Sequence, residues 1–102
     1  MCLAIFAVAD GADAKSNDDD SRTTFGSPEC AQWTRDHKAE DRAWLRGYMS
    51  GRNRRSSRGD VLDKVHSAQE MFGWMDAYCK ANPQDRVSLG ADRLFLELIK
   101  RI

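Results

Sequence analysis

Two cysteines, Cys30 and Cys79, limit this chain more tightly than any other residues it contains. Each falls at the end of a helical pattern. Ser27-Pro28-Glu29 reads as a helix start: Ser27 as cap, Pro28 suited to the first helical position, and Glu29 favoured at the positive end. Cys30, Trp33 and His37 then recur at helical spacing, followed by Asp41, Trp44, Leu45, Tyr48 and Met49. The stripe fits one helix from Pro28 to about Ser50, or two with a break near Lys38 to Asp41, and the weakly apolar middle favours the break. A second pattern starts at the capping box Ser67-Ala68-Gln69-Glu70 and runs through Met71, Phe72, Met75, Tyr78 and Cys79. Asn82-Pro83 stops it, because the residue before a proline resists the helical region. Cys30 is therefore expected in an opening turn and Cys79 in a closing turn. In a chain that runs up and back these turns meet. A Cys30–Cys79 disulfide would close a loop of about 50 residues and constrain the unfolded state by about 4 kcal/mol.

A chain of 102 residues is one small domain with a thin core, for which such a staple matters. The third cysteine, Cys2, lies in the apolar run MCLAIFAVADGADA, which reads as the back half of a secretory signal peptide, although no basic residue precedes Lys15. Residues 1–14 are expected to be a leader, residues 15–27 a polar tether and residues 28–102 a helical domain. Loss of the leader would remove Cys2 and leave an even pair of cysteines for an oxidising compartment. The apolar run is too short to span a membrane, which takes about 20 residues.

The last helix, about Ser88 to Arg101, is read with Ala91, Leu94, Phe95, Leu98, Ile99 and Ile102 on one wide apolar stripe. No segment alternates as a half-buried strand does. The expected fold is all-α, a small bundle of about four helices stapled by one disulfide.

Little in the chain points to chemistry. His37 follows Cys30 by seven residues, about 10 Å along a helix and too far to activate a thiol. No metal-binding spacing is present, and Asp18 to Asp20 lack the closing glutamate of a calcium loop. No cofactor, no metal and no enzyme activity are expected. Sixteen basic residues balance sixteen acidic ones, which gives no argument for nucleic acid or an anionic membrane. Two features stand out as contact surfaces. Gly47 and Gly51, four apart, suit close approach of another helix, within the chain or across a homodimer. Residues 51–60, GRNRRSSRGD, read as a loop in which Arg52, Asn53, Arg54, Arg55 and Arg58 are candidate partner-binding residues against a solvated loop.

Cys30-x-x-Trp33, WLRGYMSGRN (44–53), WMDAYCKANPQDRV (74–87) and LFLEL (94–98) together resemble the Rap1a/Tai-type immunity proteins. That resemblance implies a periplasmic, helical and commonly dimeric protein. It also implies a disulfide matching Cys30 and Cys79, no catalytic residues, and a role in blocking a peptidoglycan amidase delivered by type VI secretion. The expected mechanism is occlusion of the amidase cleft by the Arg52 to Arg58 loop. Two alternatives stand beside it. One is a periplasmic acid-stress chaperone, similar in size, helicity and single disulfide to the HdeA group. The other is an envelope protein without a toxin partner.

Overall fold

The computed structural model of the chain describes residues 24–102. The leader expected at 1–14, and most of the tether expected at 15–27, lie outside the described residues. Four α-helices follow one another: α1 (Cys30–Asp36), α2 (Ala39–Arg54), α3 (Ala68–Ala81) and α4 (Val87–Ile99), with a 3-10 turn at Val61–Lys64 between α2 and α3. Among the described residues there is no strand, only an isolated antiparallel bridge between Glu29 and Arg86. The all-α bundle with one disulfide is what the helical periodicities predict.

α4 is the central element. It packs on α2, on α3 and on the 3-10 turn, while α1 lies across α3. Leu45 and Met49 of α2, Val61 of the 3-10 turn, Met71, Phe72 and Met75 of α3, and Val87, Ala91, Leu94, Phe95 and Leu98 of α4 form one core with Trp33 and both sulfurs. The tightest helix crossing is at Gly90. A Cβ there would lie 2.7 Å from the Tyr78 ring and 2.8 Å from the Met75 sulfur, so only glycine lets α4 approach α3 this closely.

The expected stripe from residue 28 to 50 is broken one residue earlier than the sequence suggests. His37 adopts the left-handed conformation, φ 51°, closing α1, and α2 restarts at Ala39. Asp41, on the buried side of α2, then reaches back to accept from the Gln32 side-chain amide at 3.2 Å.

The start of α1 differs from expectation. Glu29 occupies the cap position with no side-chain cap, and Ser27 does not cap α1. The chain before α1 instead pairs with the chain before α4. Cys30 N–H donates to the Asp85 carbonyl and Val87 N–H to the Pro28 carbonyl, both at 2.9 Å. Ser27 Oγ accepts from Ser88 N–H at 3.0 Å and so serves α4. The amide that Ser27 would have satisfied already has a tertiary partner. At the same corner Cys30 and Cys79 are joined, with Cα atoms 4.8 Å apart.

The expected capping box at α3 forms. Ser67 Oγ accepts from Glu70 N–H at 3.3 Å, and the Glu70 carboxylate reaches back one residue further, to His66 N–H at 2.8 Å. α4 ends at Ile99, short of the expected Arg101. Lys100 and Arg101 continue as a turn that brings the Arg101 guanidinium to Glu70 at 3.1 Å.

Candidate functional site

Away from the disulfide corner, the side of α4 opposite α3 carries a buried charge. Ser88, Asp92, Phe95 and Ile99 lie along one side of the helix, and Asp92 is only 5 % exposed. A carboxylate so placed must be partnered. Tyr48 and Arg52, four apart on α2, supply the partners. The Tyr48 hydroxyl donates to Asp92 at 2.7 Å, and the Arg52 guanidinium makes a short ion pair with the same oxygen. Arg52 also lies over the Phe95 ring, 4.9 Å from its centroid. Burial, reinforced by the Asp92 hydrogen bond and opposed by Arg52, pushes the Tyr48 hydroxyl up to about 12. Tyr48 therefore stays a donor across the physiological range.

This cluster explains why GRNRRSSRGD is not wholly a loop. α2 continues through Arg54, because Arg52 is drawn in toward Asp92 and Asn53 is fastened to the next element. The Asn53 carbonyl oxygen accepts from the amides of Val61 and Leu62 at 2.7 and 3.1 Å, and its NH2 donates to Asp60 at 2.8 Å. One asparagine thus closes both ends of the remaining loop and caps the 3-10 turn. Inside the loop, Arg58 N–H donates to Ser56 Oγ at 3.0 Å. A cavity of about 450 Å³ opens between this loop, Tyr48 and Arg52 of α2, and Phe95 and Ile99 of α4.

Three more tertiary contacts rest on carboxylates. Trp33 Nε1 donates to Asp76 at 2.7 Å, the Tyr78 hydroxyl donates to Asp85 at 2.5 Å, and Gln32 donates to Asp41. Burial, together with the Asp85 bond, holds the Tyr78 hydroxyl at about 12. At the surface, the His66 amide and the Arg101 guanidinium hold the Glu70 carboxyl below its usual range.

The five candidate contact residues of the loop are thus divided. Arg52 and Asn53 are engaged in the fold, Arg55 and Arg58 are exposed at the cavity rim, and Arg54 is exposed but does not line the cavity. Gly47 and Gly51 lie open on α2. A Cβ at either would meet no described atom of another element within 4 Å, so among the described residues neither serves close packing inside the chain. The close-approach glycine is Gly90, which sequence reasoning passed over because it sits singly in a strongly apolar stripe. Asp92 was also missed, although a charge on the apolar side of a helix is a signal that a buried partner exists. Among the described residues no three His, Cys, Asp or Glu side chains gather as a metal site would need. No helix is long and apolar enough to cross a membrane.

A family model described as the HdeA/HdeB family matches residues 1–88. No curated protein and no solved structure matches the chain. The family match overturns the expected kinship with the Rap1a/Tai immunity proteins, and with it the type VI amidase as partner and the occluding loop as mechanism. The structure shows why the quoted motifs misled. Cys30 and Cys79 form the staple, Trp44 stacks on Tyr48 with ring centroids 4.9 Å apart, and Asn82 closes α3 by donating to the Tyr78 carbonyl at 2.9 Å. These are devices for ending and joining helices, and any small stapled bundle can use them whatever it binds.

Proposed function

The chain belongs to the HdeA/HdeB family, and on that premise we propose that it is a periplasmic acid-stress chaperone. It would be folded at neutral pH and loosened in acid, where it would hold other proteins out of aggregates. The observation that carries the reading is the family match, which spans residues 1–88. Members of this family are chaperones and not enzymes. A disulfide supports an oxidising compartment.

The way the helices are held supports the acid response. Asp41, Asp76, Asp85 and Asp92 each accept a hydrogen bond from a different element or across a turn. These carboxylate contacts are the links that the proposed acid response has to loosen, and Glu70, held below its usual range by the His66 amide and Arg101, loses its stabilisation as pH falls through that lowered value. The two phenols contribute nothing to this response. Their raised values place any loss of their stabilisation above pH 10, on the alkaline side. The disulfide does not titrate. A chain loosened in acid would still be tied where α1 meets α3, with Trp33, Met71, Phe72 and Met75 free to meet a client's apolar surface.

The test is light scattering of an acid-labile client protein at pH 2 to 3, with and without the oxidised chain. Suppressed scattering is expected, together with loss of the near-ultraviolet dichroism of the tryptophans. Unchanged scattering at a molar excess of chain would reject the reading.

In this reading the neutral protein is a homodimer, and the open surface of α2 at Gly47 and Gly51 is where a second copy approaches. A Gly47→Leu variant is expected to run as a monomer in size-exclusion chromatography with light scattering. A variant that keeps the mass of the unsubstituted protein would remove these glycines from the contact.

A further inference from the structure

We propose that the cavity at the end of α2 is a binding site for a small phosphate monoester. The phosphate would lie between Arg55 and Arg58, and its organic group would rest on Ile99.

The donor set is the first reason. Arg55 and Arg58 are both exposed at the cavity rim, and among the described residues neither has an ion-pair partner. Two guanidinium groups match the double charge and the several acceptors of a phosphate monoester better than the single charge of a carboxylate. Ser56 Oγ accepts the Arg58 amide, which leaves its own proton to donate, and Ser57 lines the cavity beside it.

The charge balance is the second reason. Asp92, the carboxylate lining the cavity, is neutralised by Arg52 and bonded by Tyr48. It is therefore already paired and does not cancel the two rim arginines.

The third reason is preorganisation. Asn53 fastens the loop at Asp60, Val61 and Leu62, so Arg55 and Arg58 hang from a closed segment and less order is lost on binding. The volume of about 450 Å³ suits a small molecule. Among the lining residues Ile99 is the partly exposed aliphatic side chain, with Phe95 beside it beneath Arg52, and it gives one ring or a short chain an apolar contact.

Binding of phenyl phosphate, inorganic phosphate and neutral benzyl alcohol to the oxidised chain at pH 7 tests the assignment. Isothermal titration calorimetry would be supported by amide chemical shifts. Phenyl phosphate is expected to saturate in the sub-millimolar range, inorganic phosphate to bind on the order of tenfold more weakly, and benzyl alcohol not to bind. The double variant Arg55→Gln, Arg58→Gln should lose on the order of tenfold or more in phenyl phosphate affinity while its melting temperature is unchanged, since both side chains are exposed. Co-sedimentation with phosphatidylcholine vesicles, with and without phosphatidic acid, separates the sources. Capture that needs both the acid lipid and the two arginines would make the ester a lipid headgroup, and its absence leaves a soluble ester. No saturable binding of phenyl phosphate up to about 10 mM overturns the proposal, as does equal affinity in the double variant or equal affinity for benzyl alcohol.

Discussion

At one end of this molecule three chain segments are joined by a disulfide and by backbone hydrogen bonds. At the other end, α2 and α4 are held by side-chain charge. The first region contains the Cys30–Cys79 disulfide, the backbone pairing of Pro28 to Cys30 with Asp85 to Val87, and Ser27 bonded to Ser88. Its carboxylate contact, Tyr78 to Asp85, is backed by all of these. The second region contains the Tyr48–Arg52–Asp92 cluster, and the Glu70 link to Arg101 lies on the surface nearby in sequence to α3's start. Where the first region has a covalent bond, the second has a buried carboxylate. The difference teaches that a small bundle can divide its links, with a covalent bond and backbone pairing at one end and a buried ion pair at the other.

The comparison can be broken most strongly at the staple. A Cys30→Ser, Cys79→Ser variant is expected to lose about 4 kcal/mol of unfolding free energy, the entropy released by opening a loop with a sequence separation of 49. Urea denaturation at pH 7 measures it. A loss below about 1 kcal/mol would mean that the backbone pairing alone holds this corner.

Next in size is Arg52→Met, which keeps the apolar stem over Phe95 and removes the cation from Asp92. A fully buried pair broken on one side costs about 3–5 kcal/mol. Arg52 is one-third exposed, so solvent screening reduces the expectation to about 2 kcal/mol. Urea denaturation at pH 7 measures it, and a loss under about 0.5 kcal/mol would show that the charge of Arg52 adds little beyond its packing on Phe95.

The smallest effect belongs to Glu70→Gln. The Glu70 carboxyl is held below its ordinary value of 4.5. Its stabilisation is therefore fully present above that value and disappears as pH falls through the lowered one. The fall in melting temperature between pH 7 and pH 3 should be smaller in the variant than in the native protein. Equal falls would exclude the Glu70 surface bonds from the acid response.

The parts of this protein that were legible in sequence are local. The capping by Ser67, the stop at Asn82-Pro83 and the stripes of α3 and α4 depend on residues within a turn or two of one another and formed, except that Glu70 bonds His66 and Ile102 lies exposed beyond the end of α4. The disulfide was legible because both cysteines fall at helix ends. The failures share a different character. Ser27 was assigned to the helix beside it, yet it bonds to Ser88, sixty-one residues away. Arg52 and Asn53 were read as loop side chains available to a partner, but they face Asp92 and Val61 across the fold. Gly47 and Gly51 attracted notice by their spacing, whereas the crossing is set by Gly90, which meets Tyr78 and Met75 of another helix.

By itself the order of residues determined the helical stripes, both ends of α3 and the pair of sulfurs, because periodicity, caps and helix-stopping prolines act over a few residues. Only the tertiary structure decided which polar side chains are spent inside and which stay outside. A hydrogen bond between Tyr48 and Asp92 spans forty-four residues, and no local preference encodes it. That partition is what separates Arg52 from Arg55 and Arg58.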